Sequence, residues 1–309
     1  MQLLPASWSA RSRIVPLDGA VPSFSNLTGH ALMHKVVDVG AYFMGGNCIY
    51  EPLLENPDSV LIGFDADPSA MAALRSPQDP RRTFLPLAVG DGTRRPLHFC
   101  AAKDMTSLLK PNPNVLNLFH GFPTWAQVVA TESVQTVRLD DLAEIVGLTF
   151  LSMDIQGAEL LALQHAENRL REALVLHLEV EFLQLYIDQP LFSDVEQFLR
   201  HRGYLFHRFS EPTSRAIRPM IVDGNIRTGL SQLFWSDAVF VRDFSRLELL
   251  DNRELLLMAA IVHDCYNSWD LTQHLLLELD RRTGRTLAPD YNSALRGGPR
   301  GAPGLASVA

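Results

Sequence analysis

The sequence predicts an α/β protein, with a parallel or mixed sheet covered by helices on both faces and a helical hairpin after it. Three observations predict this. From residue 31 to about 243, short β-rich runs alternate with helical patterns, as a sheet with crossover helices requires. Beyond Asp243 the alternation stops and leucines recur at helical spacing. The 309 residues are 47% hydrophobic and 20% charged, an ordinary globular composition. A chain of this length can bury about three quarters of its surface.

Residues 1–30 carry Pro5, Pro16 and Pro22 without a sustained period, and read as an irregular arm. The strands expected in residues 31–243 are Lys35–Val39, Val60–Phe64, Arg82–Ala88, Thr149–Asp154, Ala173–Glu181, Tyr204–Phe209 and Phe234–Val241. Two further runs, Leu97–Ala101 and Val134–Arg138, are expected to pair at an edge. Helices are expected at Pro68–Leu74, Pro123–Thr131, Gly157–Glu172 and Phe192–His201. In residues 244–283, Leu247–Cys265 and Asp270–Arg281 form the hairpin. Its leucines exceed one buried stripe, which suggests a homo-oligomer through this face. Residues 284–309 end in GGPRGAPGLASVA and read as a disordered tail.

Composition removes several function classes. The longest apolar run, Leu255–Val262, is far short of the roughly 20 residues a membrane span needs. A net charge of −8 opposes nonspecific nucleic-acid binding, which needs a basic surface. Three scattered cysteines, and no secretory pattern in the opening residues, point to a reducing, cytoplasmic setting.

The chemistry gathers at the carboxyl ends of the expected strands, where open α/β sheets bind ligands. The first strand ends in VVDVGAYFMGG, in which Asp38 and Gly40 make a loop over which a nucleotide can lie. No lysine and serine or threonine follow Gly45, which excludes a P-loop, and the three-glycine dinucleotide spacing is absent. Asp65 ends the second strand, VLIGFDADP, where a carboxylate can accept both ribose hydroxyls of a nucleoside. Asp154, in FLSMDIQGAELLAL, sits where reacting atoms lie, or else caps the helix that follows. Glu159 reads as structural. In LVLHLEVEF, His177, Glu179 and Glu181 share one face of a strand. Neighbouring carboxylates there raise a pKa, which suits a general base, unless arginines neutralise them.

The series VVDVGA, IGFDADP, LAVGDG, VRLDDL, FLSMDIQGAELLAL, LHLEVEF with LYIDQPLF, and QLFWSDAVFVRD resembles the FkbM family of S-adenosylmethionine-dependent methyltransferases. The resemblance covers about residues 34–243. It implies the class I methyltransferase fold, with a seven-stranded, mostly parallel sheet and one antiparallel strand near the end. It also implies S-adenosyl-L-methionine as cofactor and O-methylation of a small-molecule hydroxyl on a sugar or secondary metabolite.

Carried over by residue, Asp38, Gly40 and Ala41 would underlie the methionine part of the cofactor and Asp65 the ribose. Ala88 and Asp91 would flank the adenine, and Asp154 would lie near the amino and methyl groups. The chain departs from the family pattern at Tyr42, Met44, Ser152 and Gln156. Methyl transfer requires no metal. Asp154, Glu179 and Glu181 are the candidate bases, with Glu179 favoured. Residues 101–133, with Ser107, Phe119, His120 and Trp125, form a candidate lid, and Arg215 and Arg218 candidate grips for an anionic acceptor. Two other readings are an oxidoreductase on a similar sheet, which the missing glycine fingerprint opposes, and a non-catalytic member that binds cofactor or a partner.

Overall fold

The structure is a computed structural model that describes residues 21–40, 48–66 and 79–297. A short helix, α1 (Phe24–Thr28), precedes strands β1 (Lys35–Val39), β2 (Val60–Phe64), β3 (Arg82–Leu85), β4 (Ala88–Val89) and β5 (Arg94–Cys100). Two one-turn helices, α2 (Pro113–Leu116) and α3 (Phe122–Trp125), lead to β6 (Val128–Val137) and β7 (Phe150–Met153). Helices α4 (Glu159–Gln164) and α5 (Glu167–Glu172), strand β8 (Val175–Glu181) and helix α6 (Phe192–Arg200) follow. Strands β9 (Tyr204–Arg215) and β10 (Gln232–Arg242) complete the sheet, and α7 (Asn252–Asp264), α8 (Trp269–Thr283) and α9 (Leu287–Gly297) end the described chain.

The main sheet has seven strands in the order β3-β2-β1-β7-β8-β10-β9. Every neighbouring pair is parallel except those of β10, which runs antiparallel to both β8 and β9. This is the mostly parallel sheet with one reversed strand that the family resemblance implies. The strand order reverses between β1 and β7, and the crevice above that point is where such sheets hold ligands.

Side chains alternate between two cores, as the twofold period of a strand dictates. On one face Val36, Phe150, Val175 and Val239 pack with α1, α7, α8 and α9. On the other Val37, Leu151, Leu176 and Phe240 pack with α4, α5 and α6. The first face turns polar toward the strand ends, where Asp38, Ser152, His177 and Glu179 continue the rows of Val36, Phe150 and Val175.

Several elements differ from the sequence reading. Pro86 has no N–H for the ladder, so the expected strand Arg82–Ala88 divides; β3 stays in the main sheet and β4 leaves it. The runs 97–101 and 134–138 do pair, within β5 and β6, but in a separate three-stranded sheet β4-β6-β5 rather than at an edge. The helix expected at Pro123–Thr131 is only the turn α3, because the β-branched run from Val128 pairs with β5. Gly157 has a φ of +94°, so the helix begins after it, and it breaks into α4 and α5. The helix expected at Pro68–Leu74 lies outside the described residues.

The arm is not irregular to residue 30. Phe24, 1% exposed, anchors α1 in the core, and its N–H donates to Asp264 at 2.7 Å. The tail expected from residue 284 begins instead with α9, whose Ala288, Tyr291 and Leu295 recur at helical spacing and are buried. Tyr291 Oη lies 2.8 Å from His263 Nδ1.

Most of the leucine surplus that suggested a second subunit is covered within the chain, while Leu249 and Leu277 stay exposed. Helix α7 is buried nearly all round because the sheet, α8 and α9 enclose it. A chain ending at Asp243 would expose Val36, Phe150, Val175 and Val239 at once, and is expected to aggregate. A soluble truncated monomer with native near-ultraviolet circular dichroism would contradict this.

Candidate active site

Two cavities meet beyond the carboxyl ends of β1, β7 and β8. The first, of about 220 Å³, runs from Asp65 past Leu87, Ala88 and Leu108 to Asp154. The second, of about 410 Å³, is walled by Met105, Phe122, Trp125 and Trp235 and floored by Glu179 and Glu181. Asp104, Asp154 and Gln156 line both and form the partition.

The partition is a dense polar cluster. Carboxylate oxygens of Asp154, Glu159 and Glu179 all lie within 4.8 Å of one another. Gln156 Nε2 donates to Asp154 Oδ1 at 2.7 Å and to Glu179 Oε2 at 2.9 Å. The Gln156 side-chain oxygen faces the hydroxyl of the buried Tyr186 at 3.1 Å, which fixes the amide's orientation. Its backbone carbonyl accepts from Ser107 Oγ at 2.7 Å. Glu159 accepts the Ile155 and Gly157 amides at 2.7 and 3.2 Å, a structural role at the start of the helix.

Electrostatics follow from the crowding. Asp154 is open to the cavity, yet the cavity lies inside the protein envelope, so its carboxyl is still poorly hydrated and its pKa rises. Burial raises Glu179 well above the usual carboxylate range, and the neighbouring Asp154 and Glu181 raise it further. Glu181 is raised for similar reasons, by burial first and then by Glu159 and Asp154. Glu159 is pushed up to about 7 by burial and by Asp154.

These groups are raised above their unfolded values, so the native state holds more protons than the unfolded chain near neutrality. Their stabilising contribution is complete below the unfolded carboxyl pKa and is lost as pH rises through the folded values. The buried histidines His34, His207 and His263, lowered by desolvation, act in the opposite sense, but below about pH 6.5. The ligand-free protein is therefore expected to lose melting temperature between about pH 6.5 and 8. A flat or rising Tm over that interval would contradict the raised carboxyl pKa values.

The residues expected from sequence divide into three groups. Gly40, Asp65, Ala88 and Asp154 line the first cavity, and Asp154, Glu179 and Glu181 line the second. Asp38 lines neither; its carboxylate accepts from Tyr50 Oη at 2.6 Å and from Ser152, and burial raises its pKa to about 6. Asp91 also stands apart. Arg95 and Thr93 hold its carboxylate in an ion pair and hydrogen bonds that keep its pKa low, so it does not flank the cavity. Ala41, Tyr42 and Met44 lie outside the described residues.

Gly40 has a reason other than ligand approach. At φ +83° a Cβ would come 1.7 Å from the Asp154 carbonyl oxygen, so glycine is required for β1 and β7 to converge. In the 101–133 excursion, Trp125 and Phe122 wall the second cavity and Ser107 borders the first. Phe119 packs instead against Phe234, with ring centroids 4.4 Å apart, and His120 lines neither cavity. The excursion is a packed roof, with Met105, Phe119, Phe122 and Tyr186 in one cluster. Arg218 is exposed and bonded to the Asn117 carbonyl; Arg227 stands at the second cavity in its place, beside Arg215.

A cavity over the reversal of this strand order is the class I methyltransferase arrangement. The family comparison carries the reading further. The methyltransferase FkbM domain matches residues 38–206, more than half of the chain, and the protein belongs to that family of S-adenosylmethionine-dependent methyltransferases. No curated protein matches the chain. Among solved structures, one titled crystal structure of 23S rRNA methyltransferase ErmE is 12% identical, covering 86% of this chain and 92% of that chain at a TM-score of 0.30. At that score the likeness carries no argument.

Proposed function

We propose that the protein O-methylates a hydroxyl of a small molecule, a sugar or secondary metabolite, with S-adenosylmethionine in the first cavity and the acceptor in the second. The observation that carries this is the shared wall: Asp154 and Gln156 border both cavities, so a donor on one side meets an acceptor on the other. The first cavity suits the cofactor. Asp65 stands at the tip of β2 for the ribose hydroxyls, Leu87, Ala88 and Leu108 offer an apolar wall for a purine, and Asp154 offers negative charge at the far end. When bound, the cofactor supplies an electrophilic methyl group on a sulfonium.

The chain's own work is placement and proton acceptance. Glu179 and Asp154 share a proton across a hydrogen bond, which leaves one negative charge on the pair. A second proton, from an acceptor hydroxyl, neutralises that charge in a site that burial has made hungry for it. Gln156 holds both carboxyls in place through its two donated hydrogen bonds. The roof of Met105, Phe122 and Trp125 shields the acceptor from bulk water.

Incubation with S-adenosylmethionine carrying a labelled methyl group, together with pooled hydroxylated metabolites, tests the proposal. Label on an oxygen of a small product is expected. Label only on nitrogen or carbon would overturn O-methylation, and binding without any transfer would favour a non-catalytic member.

A further inference from the structure

The second cavity is electrically divided. Its floor holds Asp154, Glu179 and Glu181, while Arg215, from the end of β9, and Arg227, from the loop before β10, stand at its other wall. Among the described residues neither guanidinium has a carboxylate partner. Aromatic faces hold them instead: Arg215 Cζ lies 4.8 Å from the Trp235 ring centre and Arg227 Cζ lies 5.4 Å from that of Trp125. Arg215 Nη1 donates to the Ser214 carbonyl at 2.9 Å, and its enclosed Nε has no acceptor among the described residues.

Two like charges converging on one cavity oppose each other, and burial together with Arg227 disfavours the charged form of Arg215. Arg215 is half-buried and Arg227 stands exposed beside the same cavity. Two guanidinium groups that line one cavity without a carboxylate leave their outward N–H groups to an acceptor from outside the chain. A planar or tetrahedral oxyanion would accept from those N–H groups and neutralise the pair.

On the reading that this cavity takes the acceptor, we infer that the acceptor is an anionic hydroxy compound, held by a carboxylate or phosphate group between Arg215 and Arg227 with its hydroxyl directed at Asp154 and Glu179. The division of charge sets its orientation as well as its class. The anion is repelled by the acidic floor and drawn to the arginines, which leaves the neutral hydroxyl end for the partition. Neutral sugars or polyketides would leave the two cations without a counter-charge.

The test is calorimetry on the protein saturated with S-adenosylhomocysteine, using matched pairs: glucuronate and glucose 1-phosphate against glucose, and 4-hydroxybenzoate against its methyl ester. At least one anion is expected to bind ten or more times tighter than its neutral parent. The arm that does so tells carboxylate from phosphate. Arg215→Gln and Arg227→Gln are each expected to remove that preference while leaving S-adenosylhomocysteine affinity unchanged, since neither residue lines the first cavity. Equal binding of anion and neutral parent in every pair, or variants that keep the preference, would overturn the inference. Failure of S-adenosylhomocysteine to bind at all would instead sink the reading on which it rests.

Discussion

Glu179→Gln is expected to lower turnover by about 10²- to 10⁴-fold, the usual cost of losing general-base assistance. Its cofactor affinity should remain close to that of the native protein. The asymmetry follows from position: Glu179 lines only the second cavity, whereas Asp154 lines both. The substitution keeps the size and the hydrogen-bonding capacity of the side chain and removes one of two carboxylates that share a proton. What is lost is the carboxyl whose proton affinity burial, Asp154 and Glu181 all raise, so the acceptor's proton has one place fewer to go. Asp154→Asn, in contrast, should reduce both turnover and cofactor binding. Near-full turnover in Glu179→Gln would show that the β8 carboxylates are structural and that the proton leaves by another route.

Asp65→Ala is expected to weaken S-adenosylmethionine and S-adenosylhomocysteine binding by about 2–3 kcal/mol, a factor of about 30 to 150 in Kd. The carboxylate stands at the carboxyl end of β2, bordering the first cavity beside Phe64 and Ala66. Two ribose hydroxyls brought to it give up water for hydrogen bonds to a charged acceptor, and alanine leaves them unpaired. The loss should be the same for both ligands, because neither the methyl group nor the sulfur charge is involved. An unchanged Kd, measured by calorimetry, would place the ribose elsewhere.

The parts of the molecule legible in the sequence are those set by local pattern. Strands β1 and β2 run over the residues their apolar runs indicate, because buried parallel strands leave few alternatives. Alternation in LVLHLEVEF places His177, Glu179 and Glu181 on one face, and β10 lies alongside with Asp237 opposite Glu179. Asp91 had a visible local signal, Arg95 four residues on, that favoured an ion pair over a ligand contact.

Contacts between distant segments were not legible. Gln156, a departure from the family pattern, becomes the hub of the partition only because Tyr186 and Glu179 arrive from β8 and the loop after it. Glycine at position 40 answers to the Asp154 backbone, more than a hundred residues away. Arg227 replaces Arg218 at the cavity because the β9–β10 loop brings it there, and Arg218 is tied to the Asn117 carbonyl. The tail's helix α9 was hidden by the glycine- and proline-rich residues that follow it, although Ala288, Tyr291 and Leu295 carry the period.

The central claim is that donor and acceptor meet across the Asp154–Gln156 partition, and a crystal structure of the protein with S-adenosylhomocysteine tests it most directly. The account predicts the ribose hydroxyls on Asp65, the purine against Leu87 and Ala88, and the thioether sulfur at Asp154 facing the Glu179 side. A ribose away from Asp65, or a sulfur turned from the second cavity, would contradict it.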